Sequence, residues 1–200
     1  MKPWIVCSYC TENTFYEDLA KTFKVSLDKF KLSYFIFSIP NKRDWYKNTS
    51  YKPTFLLDCL KSFPTSNIIW VDVDAEFKAY PTLFDTLDCN IGAFEFDQNI
   101  YYKHKSPHGI KELLSGTVYL KNCAETIDIV TRWKNECDNN IRVWDQKSLQ
   151  KVVGNNYYKL PPQYCYIDNV MRMHPNPVIV HYQASRRVRK NKSLLLNGTR

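Results

Sequence analysis

Eleven consecutive residues, Asn67-Ile68-Ile69-Trp70-Val71-Asp72-Val73-Asp74-Ala75-Glu76-Phe77, constrain this chain more than any other stretch. Ile68, Ile69 and Val71 form a short β-branched run with no polar alternation, which suits a strand buried on both faces at the centre of a sheet. The run ends in two carboxylates separated by one residue, and charge at the end of a buried strand is costly unless it is used. In extended geometry Asp72 and Asp74 point to the same face about 6 to 7 Å apart, because side chains alternate with period two. So placed, the pair can share a hard divalent cation whose remaining positions are filled by diphosphate oxygens. A bare Asp-x-Asp is common and equally fits two solvated residues that cap a turn, so its weight comes from what surrounds it.

Upstream, Trp4-Ile5-Val6-Cys7-Ser8-Tyr9-Cys10 reads as a strand and residues 14–30 as a helix. Phe15, Leu19, Phe23 and Leu27 recur at four-residue spacing in that helix, and Thr14 with Glu17 fits a capping box. Residues 32–40 read as a second strand stopped by Pro40, residues 41–50 as a polar loop, and residues 52–63 as a helix with Pro53 in its first turn. The order strand, helix, strand, helix, strand argues for a mainly parallel sheet with helices on both faces. Ligands of such sheets bind beyond the carboxyl ends of the strands, which is where Asp72 and Asp74 fall. Downstream, residues 80–84 read as a helix start, residues 89–96 and 113–122 as strands, and 98–111 as a long polar loop carrying Tyr101, Tyr102, His104 and His108. A helix over 124–138, another beginning near Val143, and short strands near Tyr158 and Val178 complete an α/β domain with no internal repeat.

Two hundred residues, 44% hydrophobic and 15% aromatic, suffice for one packed domain. We place that domain at residues 1–190 and read 191–200 as a basic tail or linker. The net charge of +8 suggests nucleic acid until it is located. Six of the eight charges lie in residues 185–200, as Arg186, Arg187, Arg189, Lys190, Lys192 and Arg200. So small a patch suits gripping a diphosphate better than tracking a duplex, and no nucleic-acid partner is expected. No run of about 18 apolar residues predicts a membrane span, and the N-terminus lacks a secretory pattern, so a cytoplasmic location is expected. The seven cysteines then read as buried apolar side chains, and Cys7-Ser8-Tyr9-Cys10 lacks the second pair or histidine that would complete a zinc site.

Taken together, Trp70-Val71-Asp72-Val73-Asp74-Ala75-Glu76-Phe77 followed by Pro81-Thr82-Leu83-Phe84 resembles the DxD strand of GT-A glycosyltransferases, which transfer a sugar from a nucleotide diphosphate. The likeness runs from residue 4 to about 190 and is similar to that of small transferase domains encoded by large algal DNA viruses, where viral glycan synthesis is the setting. It implies a GT-A fold and a nucleotide-binding site to which Ser8, Lys52, Asp72, Ser115, Gly116, Arg186 and Lys190 contribute. It also implies a metal held by Asp72, Asp74 and His181. Imidazole among the ligands favours Mn2+ over Mg2+. The implied donor is a UDP-sugar such as UDP-glucose or UDP-rhamnose, and the acceptor a hydroxyl of a glycan or glycoprotein. Asp145, in the acceptor-side Trp144-Asp145-Gln146, and Glu95 are the candidates for binding or deprotonating that hydroxyl. Two other readings stay open: a phosphoryl-transfer enzyme or nuclease adding Glu76 for a second metal, and a non-catalytic nucleotide- or glycan-binding module.

Overall fold

The computed structural model describes residues 2–102, 110–171 and 176–184. In chain order the strands are β1 (Trp4–Thr11), β2 (Tyr34–Ile39), β3 (Asn67–Val71), β4 (Ala75–Phe77), β5 (Ile91–Asp97), β6 (Lys111–Leu120), β7 (Tyr158–Lys159), β8 (Tyr166–Ile167) and β9 (Ile179–His181). The helices are α1 (Tyr16–Lys29), α2 (Trp45–Thr49), α3 (Lys52–Ser62), α4 (Gln98–Tyr101), α5 (Ala124–Asn139) and α6 (Asp145–Val153). Among the described residues β2, β1, β3, β6, β5 and β7 form one sheet in that order, and β4, β9 and β8 form a second, smaller one. The large sheet is mainly parallel: β6 alone runs against the other five. No helix among the described residues is long and apolar enough to cross a membrane.

Every residue of β3 is buried, as its β-branched composition requires. Ile69 and Val71 pack with Val6, Phe23, Leu27 and Phe77 on one side, where α1 lies. Ile68 and Trp70 pack on the other with Phe55, Leu56, Trp133 and Leu149 from α3, α5 and α6. Fully burying each such side chain contributes about 1.5 to 3 kcal/mol, so β3 is anchored from both faces.

Several expectations change in the structure. The capping box of α1 does not form, because the Thr14 hydroxyl is used locally, donating to the Thr11 carbonyl at 2.6 Å and accepting the Tyr16 N–H at 3.3 Å. The apolar face of α1 is Ala20, Phe23 and Leu27, while Phe15 stays exposed and packs on Tyr16. Residues 41–50 are not all loop: Asp44 accepts the Lys47 N–H at 3.1 Å and starts α2. The long polar segment after β5 likewise opens with a turn of helix, α4, capped by Asp97. His104 and His108 lie outside the described residues. The seven cysteines are free thiols, five of them buried.

Two irregularities shape the site. β3 stops at Val71, so Asp72 and Asp74 occupy a turn between β3 and β4 instead of an extended strand end, with buried Val73 between them. The second is a bulge in β6: Ala93 of β5 faces Val118, but the next residue, Phe94, faces Leu114. Ser115, Gly116 and Thr117 therefore have no partner on β5 and are released toward the turn.

Below the site, the Tyr119 hydroxyl accepts from the Asn67 amide at 3.0 Å and donates to the Leu87 carbonyl at 3.1 Å. Tyr119→Phe strands both groups in the core and should lower unfolding free energy by about 1 to 3 kcal/mol in a urea titration. A loss under about 0.5 kcal/mol, the range of ordinary surface changes, would show that these bonds do not anchor β3 to β6.

Candidate active site

The β3–β4 turn brings Asp72 and Asp74 to the end of β9, where Ala75 faces His181 across an antiparallel pair. Asp74 is fixed by backbone: its carbonyl accepts the Tyr182 N–H at 3.0 Å and its Oδ2 the Ala184 N–H at 2.7 Å. One ligand atom from each of Asp72, Asp74 and His181 lies within 4.8 Å of the others, closer than extended geometry would give. The His181 ring is buried, and burial pushes its pKa down to about 4, opposed by the Asp72 carboxylate and reinforced by the Lys52 ammonium. It is therefore a neutral imidazole at neutral pH, the form that binds metals. Thr117 Oγ1 bonds its Nε2 at 2.8 Å and sets the ring's orientation. A Cβ on Gly116 would stand only 3.1 Å from His181 Cε1 and 3.3 Å from its Nδ1, so glycine leaves room for the imidazole, with Asp72 Oδ2 at an ordinary 3.5 Å from the same point. Two carboxylates and an imidazole, oriented by hydroxyl and backbone donors, fit a divalent cation.

Beside this trio lies a buried cation. Lys52, 4% exposed, donates to Asp145 Oδ2 at 2.8 Å, Asp72 Oδ1 at 3.0 Å and the Ser115 carbonyl at 3.1 Å, and its ammonium lies 5.0 Å from the centre of the Trp70 ring. Burial opposes its charge, but the Asp145 and Asp72 carboxylates outweigh that and hold its pKa above the usual lysine value. Ser115 Oγ donates to Asp145 Oδ2 at 2.7 Å, and the Trp70 indole N–H to Asp72 Oδ1 at 2.9 Å. Asp72 Oδ1 is thus committed to Trp70 and Lys52, while Oδ2 is the oxygen near Gly116. Burial raises the Asp72 pKa, with Lys52 opposing the shift and Asp74 adding to it.

Asp72, Asp74, His181, Lys52, Ser115, Gly116 and Asp145 are among the residues that line one cavity of about 450 Å³. Two predicted residues are not brought there. Ser8 is buried and spends its hydroxyl on the Val71 carbonyl at 2.7 Å; its neighbours Tyr9, Cys10 and Thr11 line the cavity instead. Glu95 does not line it and is held by Tyr157 at 2.8 Å and Lys159 at 2.9 Å. Arg186 and Lys190 lie outside the described residues. The sequence reading missed Tyr16, Trp45, Phe96 and Gln98 on the cavity wall. Trp45 carried a usable signal, a large aromatic in an otherwise polar segment just after Asp44. Cys165 also lines the cavity, but burial pushes its thiol up to about 12 with help from Asp72, so it is no nucleophile at neutral pH.

No protein-family model and no curated protein matches this sequence. Solved structures do match. A glycosyltransferase involved in glycosylation of the major capsid of PBCV-1 superposes with a TM-score of 0.67 at 15% identity, over 97% of this chain and 100% of that one. The fold is that of GT-A glycosyltransferases. Streptococcus pneumoniae TIGR4 GlyE, also a glycosyltransferase, gives 0.63 at 14% identity, over 91% of this chain and 55% of GlyE. The galactosyltransferase LgtC, solved with donor and acceptor sugar analogs, gives 0.57 at 9% identity, over 90% of this chain and 87% of LgtC. In this GT-A fold the Asp72 turn and the β6 bulge meet beyond the carboxyl ends of β1 and β3, the end at which open α/β sheets bind ligands.

Removing Lys52 would leave Asp145 buried without its counter-ion. Lys52→Met should therefore lower unfolding free energy by about 3 to 5 kcal/mol, measured by urea denaturation. A variant as stable as the parent would show that the ammonium is not what holds Asp72 and Asp145 together.

Proposed function

We propose that this protein is a metal-dependent glycosyltransferase that moves a sugar from a nucleotide diphosphate, UDP-glucose or UDP-rhamnose, to a hydroxyl of a glycan or glycoprotein. Fold alone does not decide activity, so the reading rests on the site. The observation that carries it is the convergence of Asp72, Asp74 and His181 in the cavity, one ammonium away from buried Asp145.

Asp72, Asp74 and His181 would hold the cation, and the mixed oxygen and imidazole set favours manganese over magnesium. When bound, the cation supplies positive charge against the leaving diphosphate. Lys52 fixes Asp72 Oδ1 and Asp145 Oδ2 before any donor enters, so little reorganisation is needed on binding. Asp145 already carries an ammonium and a hydroxyl donor, which suits it to accept a hydrogen bond from a sugar hydroxyl more than to remove a proton. Arg186, Arg187 and Lys190 follow His181 in sequence and are the proposed further cations for the diphosphate. In the transfer the acceptor oxygen bonds to the anomeric carbon, the bond from that carbon to phosphate oxygen breaks, and the hydroxyl proton is released with the nucleoside diphosphate. A two-metal phosphoryl-transfer site finds less support, because Glu76 is ion-paired with Lys78 and does not line the cavity.

UDP release from UDP-glucose or UDP-rhamnose in the presence of manganese tests the proposal. Asp74→Asn should cut the rate about a hundredfold or more, since metal charge stabilisation is worth several kcal/mol, while circular dichroism stays that of the parent. Release at the parental rate by a folded Asp74→Asn variant would remove the metal from the mechanism.

A further inference from the structure

A neutral histidine offers a cation one ring nitrogen, and the hydrogen bond made by the other decides which. In His181 the two nitrogens have different surroundings. Nε2 lies 2.8 Å from Thr117 Oγ1. Nδ1 lies against Gly116 instead: the point where a Gly116 Cβ would stand is 3.3 Å from Nδ1 and 3.5 Å from Asp72 Oδ2. Asp72 Oδ1 is taken by Trp70 and Lys52, so Oδ2 is the Asp72 oxygen that a cation can use. The usable nitrogen and the usable oxygen thus border one spot beside Gly116, while Nε2 is turned toward β6.

Which nitrogen carries the ring proton follows from the partners on each side. His181 and Thr117 are 5% and 0% exposed, so a proton there must be matched by a protein group. A proton on Nε2 has its acceptor in place, the Thr117 oxygen at 2.8 Å. A proton on Nδ1 would have to reach Asp72 Oδ2, and among the described residues no hydrogen bond joins that ring to Asp72. The Thr117 hydroxyl can accept because its own proton has an outlet in the sulfur of Cys165, a weak acceptor. Burial, aided by the Asp72 carboxylate, pushes the Cys165 thiol up to about 12, and the Thr117 N–H and hydroxyl are among the groups that pull against the rise. That N–H is available to the sulfur because the bulge leaves Thr117 without a partner on β5. Resting on the metal reading above, we propose that His181 ligates the cation through Nδ1, and that Thr117, backed by the buried Cys165, is the positioning residue that keeps the ring proton on Nε2. The Nε2–H bond raises the basicity of Nδ1. With the opposite tautomer a proton would have to leave Nδ1 before a cation could bind, at a cost in affinity.

Two measurements on the full chain test this. With isotopically labelled histidine, long-range proton–nitrogen NMR of the metal-free protein tells a protonated ring nitrogen from a bare one, and His181→Asn identifies the resonances. We expect Nε2 protonated and Nδ1 bare. Adding an NMR-active isotope of cadmium, a diamagnetic cation that takes nitrogen and oxygen ligands, should then give cadmium–nitrogen coupling on Nδ1. Calorimetric titration with manganese is the second reading. Thr117→Val keeps the side-chain shape and removes the acceptor, so it should weaken manganese about 10- to 100-fold, and Thr117→Ser should recover most of the loss. A ring proton on Nδ1 in the metal-free wild type, cadmium coupling on Nε2, or parental manganese affinity in folded Thr117→Val overturns the proposal. The wild-type spectra decide it even where the valine variant does not fold. Wild-type protein that binds neither cation ends the metal reading and this assignment with it, whereas cation binding without UDP release from a UDP-sugar counts against the glycosyltransferase reading alone.

Discussion

The interaction on which the rest of the site depends is the buried contact of one lysine with two aspartates. Lys52 lies on α3, Asp72 in the turn after β3, and Asp145 at the start of α6, so a single ammonium joins three elements. Asp72 and Asp145 meet on one ammonium, and without it they would repel one another and resist burial; the ammonium offsets both effects. It also divides the work of Asp72 between its two oxygens. Oδ1 takes Lys52 and the Trp70 indole, and Oδ2 is left on the side of Gly116 and His181. A cation at the trio and the ammonium of Lys52 therefore need not compete for one oxygen.

The β6 bulge delivers the remaining parts. Ser115, Gly116 and Thr117 lose their partners on β5, and each then serves a different group. The Ser115 hydroxyl and carbonyl meet Asp145 and Lys52, the Gly116 carbonyl takes the Asp72 N–H at 2.8 Å, and the Thr117 hydroxyl sets His181. Because β6 is clamped between β3 and β5, this local departure from pairing costs little rigidity and aims three consecutive residues at one point.

Much of this was legible in the sequence, for identifiable reasons. The buried run of β3, ending in Asp-x-Asp, is a strong signal because burial on both faces leaves few alternatives. Lys52, Asp72, Asp74, Gly116, His181 and Asp145 were singled out and do come together in space. Ser8 was misread because alternation along β1 does not say which of two neighbours faces a cavity. Glu95 was misread because a carboxylate on a strand looks the same whether it faces a site or, as here, Tyr157 and Lys159. The bulge was invisible, since three skipped pairings depend on the partner strand and not on the sequence of β6. Trp45 was hidden by the charge of its neighbours, although Asp44 announces the start of its helix.

The central claim is that the Asp72 turn builds a metal-dependent site for a nucleotide diphosphate. The most direct test is calorimetric titration of UDP into the wild-type protein with and without manganese, repeated on Asp72→Ala. The account predicts binding that appears only with manganese and is lost in the variant. UDP binding that is equal without metal, or unchanged in Asp72→Ala, would contradict it.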